Sequence, residues 1–149
     1  MCRILGKVAH LWPNNFYKLI SKIHSKIIKF NHTKAGELIL GDHILLLETV
    51  GNKSQKIRKT PLTYAQHEES YIVAASFSGS KNTPDWYFNL LTSPPYITVN
   101  NSRFKVNVEE INEDNKDFYW SLLDNVYPTF KTYRERTDRN IPLIKFIKA

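Results

Sequence analysis

The sequence predicts a mainly β (α+β) protein: a six-stranded antiparallel β-barrel with flanking helices and an N-terminal amphipathic helix. Six short apolar or alternating segments follow residue 42, separated by turn-forming residues. Two segments with helix-start and proline signals interrupt them. The chain has 149 residues, 42% apolar and 23% charged, which suits one globular body. We therefore expect residues 38–149 to form the barrel domain, preceded by a helix and its connection over residues 1–37.

Residues 14–30 have the pattern of an amphipathic helix. Its apolar residues recur at steps of three and four, and its lysines recur on another face. The apolar positions are Phe16, Leu19, Ile20, Ile23, Ile27 and Ile28, and the basic positions are Lys18, Lys22, Lys26 and Lys29. Three roles stay open: a stripe docked on the body with solvated lysines, a contact with an anionic membrane surface, or a lid over a pocket.

The barrel strands are expected at residues 43–50, 60–65, 71–75, 96–99, 103–109 and 141–147. Pro61 favours an edge position or a bulge in the second strand, because proline lacks a backbone N–H. Asn100 and Asn101 favour a tight hairpin between the fourth and fifth strands, because asparagine tolerates positive φ.

Helices are expected at residues 85–91 and 113–126, with a further short helix at 130–136. Thr83 and Pro84 provide a cap and a first-turn proline for the first of them. Asn112 precedes the second, where Glu113 and Asp114 lie in the first turn and favour the helix dipole.

Composition narrows the range of functions. The net charge of +7 favours anionic partners. The single cysteine, Cys2, excludes a disulfide framework and a cysteine-based zinc site within one chain, and the five histidines lack metal-ligand spacing. No apolar run approaches the ~18 residues of a membrane span, and the start lacks a secretory signal. A cytoplasmic protein without a resident metal is expected.

One strongly basic segment, residues 49–61, joins the first two strands. Lys53, Lys56, Arg58 and Lys59 lie within seven residues, beside Gly51. A turn of this kind can hold an anion with its backbone N–H groups and its cations. Taken alone, this signal is weak, because a run of charged residues is usually a solvated surface turn.

Three further motifs are weak when taken singly. Ser76, Phe77 and Ser78 open a small-residue loop that permits close approach of a ligand. The short segment DWYFN (85–89) and the stretch YPTFKTY (127–133) supply aromatic residues. At steps of three, the aromatic residues of the latter would share a helix face. Taken singly, each aromatic group is better explained by core packing.

In this order, the motifs resemble the deazaflavin-dependent nitroreductase family of split β-barrel proteins. The resemblance covers roughly residues 38–146 and rests on the runs LLLETVGNKSQKIRKTPLTY, YIVAASFSGSKNTPDWYFNLLTSPPYITV and YPTFKTYRERTDRNIPLIKF. It implies a split barrel related to FMN-binding oxidoreductases. It also implies that the protein binds coenzyme F420 and passes a hydride from its reduced form to a quinone, a nitroaromatic compound or a similar electrophile.

The resemblance also implies roles for individual residues. Lys53 and Arg58 would hold the cofactor phosphate, and Lys56 would lie near its acidic tail. The deazaflavin ring would be flanked by Pro61, Ser76, Phe77 and Ser78. Trp86 and Asn89 match the W-x-x-N helix of the family, which contacts the cofactor. Catalytic roles are implied for Tyr127 and Tyr133, which match tyrosines on the acceptor side, and for Ser76, which matches a serine that would aid protonation.

Three positions depart from the family pattern. Asn52 replaces an arginine, Ile57 replaces a proline, and Phe130 replaces a tyrosine found in some members. The loss of one arginine keeps open an alternative function, a non-catalytic carrier of FMN or F420. Net charge alone would also suit a nucleic-acid-binding barrel, but the order of the motifs disfavours it. The expected protein is a monomer or a homodimer, with peripheral membrane contact through residues 14–30 as an open alternative.

Overall fold

The structure, a computed structural model, describes residues 43–149, and these form the six-stranded barrel that the sequence predicts. The strands are β1 (Ile44–Val50), β2 (Ile57–His67), β3 (Ser70–Ala74), β4 (Tyr96–Val99), β5 (Ser102–Glu110) and β6 (Leu143–Lys148). The helices are α1 (Asp85–Asn89), α2 (Glu113–Val126) and α3 (Thr129–Glu135), and Phe77–Gly79 form a 3-10 turn. The predicted helix at 14–30 and the domain boundary after residue 37 lie outside the described residues.

The barrel closes in the order β1-β2-β3-β6-β5-β4, and every pairing is antiparallel. β2 pairs with two strands in succession, β1 and then β3. Its first seven residues, 57–63, pair with β1, and only Tyr64 to His67 pair with β3. Among residues 43–149, the first part of β2 therefore has a strand on one side only, which agrees with the edge position predicted for Pro61.

The start of β2 corrects one prediction. The strand was expected to begin at residue 60, but it begins at Ile57 and includes two of the four cations of the basic segment. Lys59 lies opposite Glu48, and its Nζ is 3.3 Å from the Glu48 carboxylate. Cross-strand pairs of opposite charge stabilise a ladder, so Arg58 and Lys59 are strand residues. The basic loop proper comprises residues 51–56.

The local signals for the hairpin and for α2 are confirmed. Asn100 and Asn101 have φ angles of 47° and 65° in the turn between β4 and β5. α2 has the predicted bounds, with Asn112 before its first residue. In α1, by contrast, Pro84 itself is the N-terminal cap rather than the first helical residue, so Thr83 does not cap the helix. Among the described residues, no helix is long and apolar enough to cross a membrane.

Two apolar clusters organise the molecule. The first fills the barrel interior and consists of Leu45, Leu47, Tyr64, Val73, Ala75, Trp86, Ile97, Val99, Val106, Ile144 and Phe146. The second includes outward-facing residues of β2 and β3 and residues of α2 and α3, among them Ala65, Ile72, Ala74, Trp120, Leu123 and Phe130. A two-pronged ion pair, Arg134 to Asp124 at 3.0 and 2.7 Å, joins α3 to α2. It fixes the position of α3 on the barrel wall.

Candidate active site

Within residues 43–149, β2 and β3 separate beyond one residue pair, and the space between them is called the cleft below. Tyr64 and Val73 are the last paired residues, and the same register continued would place Pro61 opposite Ser76. The chain leaves β2 instead, because the Ala75 N–H donates to the Pro142 carbonyl at 2.9 Å. We define the edge of β2 over residues 57–63 and the serine loop (residues 76–80) as the two walls of this cleft. Several of the predicted cofactor-binding residues lie on these walls.

The basic loop lies at the end of the β2 wall. Two backbone hydrogen bonds close it, from Gly51 to the Lys56 carbonyl at 2.9 Å and from Gln55 to the Gly51 carbonyl at 2.8 Å. Lys53, Lys56 and Arg58 are exposed, and none of them is in an ion pair within residues 43–149. Three positive charges without counter-charges in that part of the chain form a site that fits a polyanion.

Lys59, the fourth cation, is already engaged. Burial alone would raise the pKa of Glu48, but hydrogen bonds and charges from Arg103 and Lys59 lower that pKa below its ordinary value. Glu48 is only 7% exposed and stays ionised between the two cations. Lys59 is therefore a structural partner, and only three cations of the basic segment can bind an anion without breaking an existing ion pair.

The Asn89 side chain fastens the basic loop to α1. Its Oδ1 accepts a hydrogen bond from the Asn52 N–H at 3.1 Å, and its Nδ2 donates to Thr49 Oγ1 at 3.4 Å. Trp86, on the same helix, is buried in the barrel interior. The structure thus gives this helix motif a role in holding the basic loop. Direct contact of either side chain with cofactor stays a prediction.

Changing Asn89 to leucine is expected to lower the free energy of unfolding by about 1–3 kcal/mol, because a buried hydroxyl and a backbone N–H lose their partner. Urea denaturation would measure the change. Asn107→Leu, on the exposed face of β5, is the matched control and should unfold like the parent. Equal loss in both variants would contradict the anchoring role of Asn89.

The serine loop has an unusual backbone. Phe77, Ser78 and Gly79 have φ angles of 44°, 56° and 76° in succession. Two of these residues carry side chains that disfavour the left-handed region. The loop also rests directly on α3: a Cβ added to Gly79 would lie 2.6 Å from the Tyr133 carbonyl oxygen. This contact brings Ser76, Phe77 and Ser78 to the helix that carries Tyr133.

Tyr127 and Tyr133 lie together, with their hydroxyl oxygens 3.4 Å apart. Burial raises the pKa of Tyr133 well above its ordinary value, aided by Tyr127 and opposed by Ser78 and Arg136. Tyr133 therefore stays protonated at physiological pH and can act as a lasting hydrogen-bond donor. Tyr127 precedes α3, so the two tyrosines meet across a turn rather than along one helix.

Phe130, where some family members have tyrosine, is buried. Its ring packs edge-on against Trp120, Tyr127 and Tyr133 at centroid distances of 6.0, 5.3 and 6.0 Å. For this member of the aromatic stretch, core packing is the observed role.

Arg139 is a site residue that the sequence analysis missed. Its guanidinium donates hydrogen bonds to carbonyl groups at both ends of the serine loop. No motif marks it, because its partners lie 56 to 64 residues away in the chain.

A groove of about 310 Å³ lies between residues 90–95 and Val106–Val108, and none of the predicted site residues lines it. No three His, Cys, Asp or Glu side chains among residues 43–149 converge on a common point as metal ligands would.

Comparison with known proteins gives a consistent result. The family model of F420H2-dependent quinone reductases matches residues 20–146. An F420H2-dependent quinone reductase of Mycobacterium tuberculosis is 32% identical over 128 residues, covering 83% of this chain and 86% of that protein. The solved F420-H2 dependent reductase FDR-A superposes with a TM-score of 0.63 at 30% identity, over 69% of this chain and 92% of that one. A protein solved as a domain-swapped dimer has a TM-score of 0.65 at 26% identity, over 87% and 97%.

Proposed function

Because the chain belongs to the F420H2-dependent quinone reductase family, we propose that the cleft between β2 and the serine loop is its active site, where a hydride passes from F420H2 to a quinone. The chain is an oxidoreductase with coenzyme F420 as its cofactor. The observation that carries the site assignment is the group of three exposed cations beside the cleft, unpaired within residues 43–149.

The described residues fit a phosphorylated, acidic cofactor. Lys53 and Arg58 would hold its phosphate, and Lys56 would lie near its acidic tail. Arg58 already donates to Ser54 Oγ at 3.0 Å, which holds the guanidinium near the loop before anything binds. The ring would lie against Pro61 and the serine loop, with Ser76, Phe77 and Ser78 as its neighbours.

When bound, F420H2 supplies the hydride, and the protein binds, orients and excludes water. Hydride addition to a quinone leaves a negative charge on one oxygen, which one proton then neutralises. Tyr133 can donate a hydrogen bond to that oxygen while keeping its own proton, because its pKa is raised. Tyr127 would orient the Tyr133 hydroxyl. Ser76, whose side chain is buried at the start of the serine loop, would assist on the cofactor side. F420H2 releases one proton when it gives up the hydride, which balances the proton that the quinone oxygen takes up.

The test is anaerobic oxidation of F420H2 by menadione, followed by absorbance, with Tyr133→Phe beside the parent. We expect kcat to fall by about a hundredfold to a thousandfold, the range of losing one oxyanion donor, while cofactor affinity is unchanged. Tyr96→Phe, a change of the same kind on β4, should leave kcat unaltered. Failure of the parent to bind or oxidise F420H2 would overturn the proposed function, and full activity of Tyr133→Phe would overturn the role of Tyr133.

A carrier without turnover is the alternative that Asn52 favours, since one cationic fork for phosphate is missing. The Asn52 N–H donates to the Asn89 side chain. Asn52 therefore stabilises the conformation of the basic loop but adds no positive charge to it. Mass spectrometry of the protein as purified would separate F420 from FMN. Sustained turnover with menadione would exclude a passive carrier.

The finer details of acceptor and assembly are proposals as well. Nitroaromatic acceptors belong in the same turnover assay as menadione. The likeness to a domain-swapped dimer supports a homodimer, which sedimentation equilibrium would detect. Membrane contact through residues 14–30 would appear as co-sedimentation with anionic vesicles that is lost at high salt.

A further inference from the structure

The serine loop has a conformation that its own sequence does not favour. Three successive residues, Phe77, Ser78 and Gly79, occupy the left-handed region, and only the third lacks a side chain. Backbone of this kind persists when its surroundings determine it. The loop makes two hydrogen bonds within itself, from Gly79 to the Ser76 carbonyl at 3.1 Å and from Ser80 to the Phe77 carbonyl at 3.0 Å. Further contacts must hold its two ends in place.

The Arg139 guanidinium supplies those contacts. Its Nη2 donates to the carbonyl oxygens of Ala75 at 3.0 Å, Ser76 at 3.2 Å and Ser80 at 3.4 Å. Its Nε also reaches the Ser80 carbonyl at 3.4 Å, and its Nη1 reaches Thr83 Oγ1 at 3.4 Å. One planar group thus ties the start of the loop to its end and to the residues before α1.

Arg139 is itself held in place and is not committed to a carboxylate. Its backbone N–H donates to Thr137 Oγ1 at 3.1 Å, and a few residues on, the Pro142 carbonyl accepts from Ala75 at 2.9 Å. Within residues 43–149 no acidic side chain pairs with the guanidinium. Desolvation lowers the pKa of Arg139, as expected for a cation half-withdrawn from water and bonded to neutral carbonyls.

We propose that Arg139 is a positioning residue of the active site, which sets the serine loop in the geometry that receives the deazaflavin ring without touching the cofactor itself. This rests on the proposed function of the cleft. Groups that orient direct ligands in this way commonly control affinity and rate although they lie behind them. Lysine at this position would keep the charge but lose the fork that spans both loop ends.

The experiment compares Arg139→Met, Arg139→Lys and Arg139→Ala with the parent by fluorescence titration of F420 and by single-turnover oxidation of F420H2. We expect the dissociation constant to rise about tenfold or more in the methionine variant, with a smaller rise in the lysine variant. Added guanidinium at a non-denaturing concentration should restore part of the affinity of Arg139→Ala, which a general loss of stability would not allow. The KM for menadione should change little.

Arg103→Met is the matched control, because this change also removes an arginine with several contacts, including a 2.9 Å bond to buried Glu48. Arg103 lies on β5 and does not contact the serine loop. It should bind F420 like the parent. Parent-like affinity and rate in Arg139→Met, or equal losses in the Arg103 and Arg139 variants, would overturn the positioning role while leaving the proposed function standing. If Arg139→Met does not fold, the test relies on Arg139→Lys and on the guanidinium rescue of Arg139→Ala. The proposal is overturned if Arg139→Lys binds F420 like the parent and added guanidinium restores no affinity to Arg139→Ala. A parent protein that binds no F420 would overturn both.

Discussion

Alanine at both Lys53 and Arg58 is expected to raise the dissociation constant of F420 by about a hundredfold, and by about tenfold for each single change. Each side chain would donate charge-assisted hydrogen bonds to the phosphate. Because both side chains are exposed, each should contribute binding free energy at the lower end of the usual range for such bonds. Fluorescence titration at two salt concentrations measures the effect. The parent should lose affinity with added salt, and the double variant should lose less because fewer charges remain to be screened.

Two control variants separate a specific phosphate grip from a general effect of net charge. Lys105→Ala removes the same charge from an exposed position on β5. Lys59→Ala removes a neighbouring charge that is already paired with Glu48. Both should bind F420 within about threefold of the parent, as expected for surface charges outside the site. A uniform decline across all four cations would mean that the phosphate assignment is wrong.

Local sequence signals predicted most of the barrel correctly. The Asn100-Asn101 turn and the start of α2 after Asn112 depend on the chemistry of adjacent residues, so no tertiary information was needed. The start of β2 was predicted too late for the opposite reason. Arg58 and Lys59 look like loop residues in sequence, and only pairing with Thr49 and Glu48 across the ladder shows them to be strand.

Asn89 and Arg139, whose side chains hold the loops of the cleft in place, were harder to predict. Asn89 entered the prediction as a cofactor contact, and its observed partners are Thr49 and Asn52, 40 and 37 residues away. Arg139 did not enter it at all, since its partners span the distance from Ala75 to Thr83. Hydrogen bonds to backbone groups leave no residue-type signature at the other end, so spacing cannot reveal them.

Asn89 and Arg139 stabilise the cleft in the same way. Each wall of the cleft includes irregular backbone, the basic loop on one side and the serine loop on the other, and irregular backbone has no ladder to hold it. A side chain from a neighbouring helix or connection fixes each loop: the Asn89 amide on one wall and the Arg139 guanidinium on the other. Loops fixed by a rigid scaffold are suited to binding, because little ordering is left to the ligand.

Gly79→Ala is expected to lower the free energy of unfolding by about 2–4 kcal/mol and the melting temperature by roughly 6–12 °C. The φ angle of 76° strains any side chain at this position. The new Cβ would also lie 2.6 Å from the Tyr133 carbonyl oxygen and 3.0 Å from its Cα. Because both contacts are with backbone, neither can be relieved by rotating a side chain, and the serine loop must separate from α3. Thermal denaturation measures the loss of stability, and F420H2 oxidation should slow because Ser76 and Tyr133 no longer keep their relative positions.

Gly51→Ala is the matched control for the same chemical change. Its backbone is outside the left-handed region, and the added Cβ would approach Ser54 Oγ at 2.7 Å, the end of a side chain that can rotate away. We expect a loss below about 1 kcal/mol, relieved by adding Ser54→Ala, with F420H2 oxidation slowed far less than in Gly79→Ala. A Gly79→Ala variant with parent-like stability and turnover would show that close packing of the serine loop on α3 is unnecessary. The arrangement of Ser76 and Tyr133 would then have to be maintained by Arg139 and the Arg134–Asp124 pair alone.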